Sequence, residues 1–223
     1  MGTLREIRDR VVFRLRMIVD QRFDRRFGVD TGGVGGGDDI SPAQKRGACY
    51  YLPTPVSVVR SMLGSLTIDH SAYTFIDLGS GKGRVLLLAS YYPYKRIIGV
   101  ELSRRLHQIA ENNIRVWKSP RQKCFRIESA CMDACDFALP PDPLILFLFN
   151  PFKPAMVAQI VDRIQQSVRD TPRPIQILYY GSNREIVDEI LTRLHWPCRE
   201  VCSKQPFSLY TESPLPYRGL LLG

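Results

Sequence analysis

Between residues 75 and 84 the chain reads Phe-Ile-Asp-Leu-Gly-Ser-Gly-Lys-Gly-Arg, an apolar run reaching Asp77 and then glycine at 79, 81 and 83. Glycine at alternate positions means that the backbone turns tightly there or closely approaches a ligand. The surroundings of that turn repeat along the chain. Residues 73–78 read as a strand and 83–92 as a helix; 96–101 as a strand and 103–117 as a helix. Residues 124–129 read as a strand followed by a loop, 144–150 as a strand, 155–170 as a helix, 174–180 as a strand and 183–194 as a helix. The tail from residue 198 suits one or two antiparallel strands. Alternation of this kind, with nearly continuous apolar strands, predicts an α/β fold: a doubly wound, mostly parallel sheet covered on both faces.

The N-terminal part departs from this pattern and predicts a helical extension. Leu4, Ile7, Val11, Leu15, Ile18 and Val19 recur at helical spacing among arginines, giving an amphipathic basic helix over 4–22 whose stripe should pack on its own domain. Residues 28–39, Gly-Val-Asp-Thr-Gly-Gly-Val-Gly-Gly-Gly-Asp-Asp, read as a flexible linker or mobile lid. Residues 53–66 read as a helix opened by Thr54 as N-cap, with Pro55 in its first turn.

A chain of 223 residues with 44% hydrophobic content can build the core of one α/β domain. Its strongest apolar run, 143–149, has the length of a buried strand and falls far short of the roughly 18 residues that span a bilayer. Stable membrane insertion is therefore not expected. Glu6 and Asp9 interrupt the first twenty residues, which argues against a cleaved leader. The six cysteines then read as reduced thiols in a cytoplasmic protein. Cys131 and Cys135, and His195, Cys198 and Cys202, are too loosely spaced to predict a metal site. The net charge of +9 suits nucleic acid, acidic proteins or anionic lipid as partners, and equally a solvated basic surface.

What the glycine turn binds can be tested against three patterns. A P-loop needs Gly-x-x-x-x-Gly-Lys-Ser/Thr, and here Ile76 and Gly83 stand at its first and last positions. A dinucleotide fingerprint, Gly-x-Gly-x-x-Gly, is matched only in part, because the third glycine comes one position early. The pattern Asp/Glu-x-Gly-x-Gly-x-Gly is met in full by residues 77–83. With it the chain resembles the class I, seven-strand S-adenosylmethionine-dependent methyltransferases. The resemblance covers about residues 50–180 and implies a seven-stranded sheet, with residues 1–49 as an extension and 50–223 as the methyltransferase domain.

The resemblance also implies roles. The turn of Gly79, Ser80, Gly81 and Gly83, with Asp77 before it, would pass under the methionine and ribose of the cofactor. Glu101, ending the next strand, would accept the ribose hydroxyls. Asp133, with Ala134 beside it, would meet the adenine. Asn150, Pro151 and Phe152 end the fourth strand where the family places substrate-facing residues. The carbonyls of Asn150 and Pro151 can orient an amine, and Phe152 can wall the mouth of the pocket. Nucleic-acid methyltransferases carry a second proline there, which this chain lacks.

Tyr51-Leu-Pro-Thr54 resembles the aromatic-x-Pro-Ser/Thr segment that folds over the cofactor in seven-strand protein-lysine methyltransferases, so Tyr51 and Thr54 are candidate cofactor contacts. Lys82, where that family usually has an acid, departs from it. The expected activity is methyl transfer to a nitrogen nucleophile, a protein lysine or a small-molecule amine. RNA or DNA methylation is the alternative, with an NAD-dependent oxidoreductase a further one.

Overall fold

The computed structural model describes residues 4–33, 51–149, 152–181, 184–194, 198–201 and 207–212. Five strands form a parallel sheet: β1 (Thr74–Leu78), β2 (Arg96–Glu101), β3 (Ile127–Cys131), β4 (Leu144–Phe149) and β5 (Ile175–Tyr180), in the order β3-β2-β1-β4-β5. Helices α1 (Leu4–Phe27) and α2 (Val56–Gly64) precede the sheet; α3 (Arg84–Ala89), α4 (Arg104–Val116), α5 (Pro154–Asp170) and α6 (Arg184–Leu194) alternate with its strands. At the β5 edge the backbone of β7 (Phe207–Glu212) pairs antiparallel with β5, and β6 (Cys198–Val201) pairs antiparallel with β7.

Strands β1, β2, β4 and β5 are largely apolar and buried because both faces are covered, whereas β3, at the sheet edge, is half-exposed. In β1, Phe75 packs into one core with Leu86, Phe147 and Leu178, while Ile76 belongs to a second with Leu146, Ile160 and Ile177. Successive residues of a strand point to opposite faces, and each large apolar side chain so buried contributes about 1.5–3 kcal/mol. From β1 the chain runs outward through β2 to β3, then returns to lay β4 on the other side of β1. The carboxyl ends of β1 and β4 flank that reversal, where open α/β sheets form their ligand crevice.

Strand β3 begins later than the sequence pattern predicts. The N–H groups of Lys123 and Cys124 donate to the Ser90 carbonyl at 2.7 and 3.0 Å, so they are drawn off before the ladder starts. Among the described residues no helix is long and apolar enough to cross a membrane.

Two N-terminal expectations need correction. Of the apolar stripe of α1, the described side chains do not pack on the domain: Val11 and Leu15 are 51% and 57% exposed, and Ile18 and Val19 are exposed too, while the side chains of Leu4 and Ile7 lie outside the described ones. Length is the reason. At 1.5 Å per residue α1 runs about 36 Å, whereas α2, which it contacts, runs about 14 Å. Only the end of α1 docks, through Phe23 and Phe27, whose rings lie 5.7 and 4.7 Å from that of Trp117.

The cap of α2 differs as well. Pro55, not Thr54, stands at the N-cap and makes no side-chain cap bond. Asp20 of α1 caps the helix from outside, its Oδ1 accepting the Val56 N–H at 3.0 Å.

Candidate functional site

Beyond Leu78 the chain folds back over the end of β2. The N–H groups of Gly79 and Ser80 both donate to the Val100 carbonyl, at 2.8 and 3.1 Å, and Gly83 N–H donates to the Ser80 carbonyl at 2.9 Å. Gly79, Gly81 and Gly83 take φ of +82°, +54° and +83°, a region that side chains strongly disfavour. Gly81 is constrained a second way. A Cβ there would lie 2.2 Å from Cε2 of Tyr51, whose ring rests on the bare backbone. Gly99 clears the space underneath, since a Cβ on it would meet Leu86 and Ser80 at 2.6 Å.

The acidic residues gather around this turn. Glu101 is buried; its Oε2 accepts from Gly81 N–H and its Oε1 from Ser103 N–H, both at 2.8 Å. Asp77, on β1, is 3% exposed. Loss of solvent, reinforced by the Glu101 charge, pushes its carboxyl well above the usual carboxylate range. Met132 N–H donates to the Glu101 carbonyl at 3.0 Å, tying the loop after β3 to the end of β2. In that loop Asp133 Oδ1 accepts from Cys135 N–H at 2.8 Å, and Ala134 is buried. Asp77, Gly79–Gly83, Glu101 and Asp133 thus stand at the carboxyl ends of three adjacent strands.

A group of residues that the glycine motif did not reveal holds the turn from behind. Residues 28–33 are not a free linker. Tyr51 Oη donates to the Thr31 carbonyl at 2.8 Å, and Lys82 Nζ donates to Asp30 Oδ1 at 2.7 Å and to the Gly32 carbonyl at 2.8 Å. Asn113 of α4 accepts from Asp30 N–H and donates to the carbonyls of Asp30 and Lys82. Arg84, only 2% exposed, donates to Thr31 Oγ1, to the Thr54 carbonyl and to Asp20, with which it forms an ion pair. Asp24 accepts from the backbone and hydroxyl of Thr31. The signal was a cation at the first position of a helix, where an anion suits the dipole better; such a cation implies a partner elsewhere.

The other sequence candidates are placed as follows by the fold. Thr54 is buried, with its carbonyl toward Arg84. Phe152 is 6% exposed and belongs to the second core, so its ring is a packing element before it is a pocket wall. Asn150 and Pro151 lie outside the described residues. Tyr179 is buried in the second core, and Tyr180 stacks on Phe149 at 5.1 Å. His107 bonds through Nδ1 to Ser129 Oγ at 2.8 Å with Nε2 3.3 Å from Glu111. Cys124 is buried; burial and Asp133 push the Cys135 thiol up to about 11. Among the described residues no group of three His, Cys, Asp or Glu could hold a metal ion.

Residues 48–133 match the family model described as histone methylation protein DOT1. Among curated proteins no relative matches. The chain is similar in fold to a human methyltransferase 10 domain containing protein, at 13% identity and a TM-score of 0.53, covering 88% of this chain and 94% of that one. It is similar to a possible methylase from Clostridium difficile 630, at 11% identity and a TM-score of 0.56, over 75% of this chain and 55% of that one. A predicted N6-adenine-specific DNA methylase from Listeria monocytogenes str. 4b F2365 matches at 14% identity and a TM-score of 0.52, over 71% and 51%. At these identities the three likenesses speak to the fold.

Proposed function

We propose that this chain, a Rossmann-like, S-adenosylmethionine-dependent methyltransferase, methylates a nitrogen nucleophile, the side chain of a protein lysine. The observation that carries this reading is the match of residues 48–133 to a family named for methylating a protein. That stretch contains Tyr51, the glycine turn, Glu101 and Asp133. We read residues 50–223 as the catalytic domain, with the full sheet as the seven-stranded form of the class, and residues 1–49 as its extension.

On this reading the buried Glu101 carboxylate accepts the ribose hydroxyls. Asp133 and the backbone beside Ala134 hold the adenine. The Gly79–Gly83 turn and Asp77 receive the methionine end, with Tyr51 closing over Gly81 and Thr54 behind it. The cofactor supplies an electrophilic methyl group on a sulfonium. The chain's task is then to present a neutral amine in line with that methyl and to keep water away. Asn150 and Pro151 supply carbonyl acceptors for the amine hydrogens, and Phe152 backs them. A free lysine amine loses its proton near pH 10.4, so that proton must pass to solvent before transfer, and the carbonyls then orient the freed lone pair toward the methyl group.

The test is transfer of labelled methyl from S-adenosylmethionine to a lysate separated into protein, RNA, DNA and small molecules. Label in protein, recovered as methyl-lysine after hydrolysis, is the expected result. Label confined to RNA or DNA overturns the lysine acceptor while leaving the transferase intact. Asn150→Ala is expected to keep the cofactor-induced thermal shift and lose about a hundredfold in rate, the scale of a misplaced nucleophile.

A further inference from the structure

A second concave site lies away from the strand ends. Val19, Arg22, Phe23, Arg26 and Phe27 of α1, Val56 and Arg60 of α2, Tyr91, and residues 119–121 enclose a cleft of about 200 Å³. Residues 119–121 follow α4 and Tyr91 follows α3. Both helices start at the cofactor end of the sheet and run away from it, so the cleft sits about 10–20 Å from the glycine turn.

Its chemistry is one-sided. Four guanidinium groups, of Arg22, Arg26, Arg60 and Arg121, line it, and among the described residues no carboxylate does. Two lie against aromatic faces: Arg121 4.7 Å from the Tyr91 ring centre and Arg26 5.5 Å from that of Phe27. Bringing four like charges together without a counter-charge is unfavourable, and a bound polyanion reverses the sign of that energy.

We propose that this cleft binds a single strand of nucleic acid through its phosphodiester backbone, a function separate from the choice of methyl acceptor. Guanidinium forks match phosphate oxygens two at a time. The cleft is smaller than the roughly 300–1,000 Å³ of pockets that engulf small molecules, so it admits phosphates and leaves bases outside. Val11, Leu15 and Val19 offer exposed apolar contact for those bases, and lie on the same helical face as Arg22 and Arg26 by their spacing of three, four and seven. That mixing disfavours a lipid surface, which takes helices whose arginines and apolar residues occupy opposite faces.

The test uses the full chain and a labelled single-stranded RNA of roughly 20 nucleotides, longer than one site of about 4–16, followed by anisotropy between about 50 and 300 mM salt. Binding should weaken linearly in log–log form. The Arg26→Ala/Arg60→Ala/Arg121→Ala variant should bind about tenfold more weakly or worse, with the slope reduced by about 2, since each lost phosphate contact removes roughly 0.7. Its thermal response to S-adenosylmethionine should match the parent, which separates this proposal from the methyltransferase reading. Single-stranded DNA of the same sequence binding alike also supports it.

An unchanged slope in the triple variant overturns the proposal. So does tighter binding of the matching duplex, or displacement of the RNA by polyglutamate or phosphatidylserine vesicles at equal charge. Should the triple variant fail to fold, the exposed Arg60→Glu alone decides the matter: no loss of affinity sinks the assignment.

Discussion

Burial and the Glu101 charge hold the Asp77 carboxyl above its usual range, so the folded chain keeps that proton more tightly than the unfolded one. The sign of the linkage follows. Stability from this group is fully present below the unfolded value near 3.9 and is lost as pH rises through the folded value. Asp77→Asn removes the loss: its unfolding midpoint should exceed the parent's at and above neutral pH and converge with it toward pH 4. In a domain of this size about 1 kcal/mol shows as 2–4 °C. Parallel midpoint curves across pH, measured by scanning fluorimetry, would contradict this. The acids around the turn were legible in the sequence because each ends a strand beside a local glycine pattern. Lys82, Arg84 and Asn113 were not, because their partners lie 30 to 83 residues away, where no spacing rule applies.

Helix α1 joins the domain through a few residues of its final turns. Asp20 has two duties: it caps α2 through Val56 N–H and pairs with Arg84. Substitution separates them. Asp20→Asn keeps an oxygen for the cap and gives up the charge, whereas Asp20→Ala gives up both and leaves a buried guanidinium without its anion. Breaking a buried pair costs about 3–5 kcal/mol and losing a cap about 1 kcal/mol. Urea titration should therefore rank the parent above Asp20→Asn and that above Asp20→Ala. Equal stability of the two variants would show that the cap adds nothing. Periodicity revealed that a helix stands here, yet not which part of it docks, because the short reach of α2 is set by tertiary structure. The cap was misread for a related reason: Thr54 is the local candidate, and a carboxylate 36 residues upstream took the role.

The molecule as a whole offers one crevice built from strand ends, and its ligand preference has a thermodynamic readout. A compound that binds only the folded chain stabilises it by about 2.7 kcal/mol at a hundred times its dissociation constant. S-Adenosylmethionine and S-adenosylhomocysteine should both raise the unfolding midpoint, and NAD or NADH should leave it unmoved. A shift with NADH alone would reverse the choice made on the glycine spacing. That the five central strands run parallel was readable from alternation alone, since each predicted strand is present; their order was not, because alternation does not say which strands are neighbours. The strap at residues 28–33 was not, because its glycine-rich composition hides the few side chains that fasten it. That strap also sets a schedule for synthesis. Asp30 leaves the ribosome 83 residues ahead of Asn113, the side chain that holds its backbone on both sides. At 5–20 residues per second the wait lasts about 4 to 17 s. Phe23 and Phe27 wait slightly longer, since Trp117, the indole on which both rings pack, emerges after Asn113.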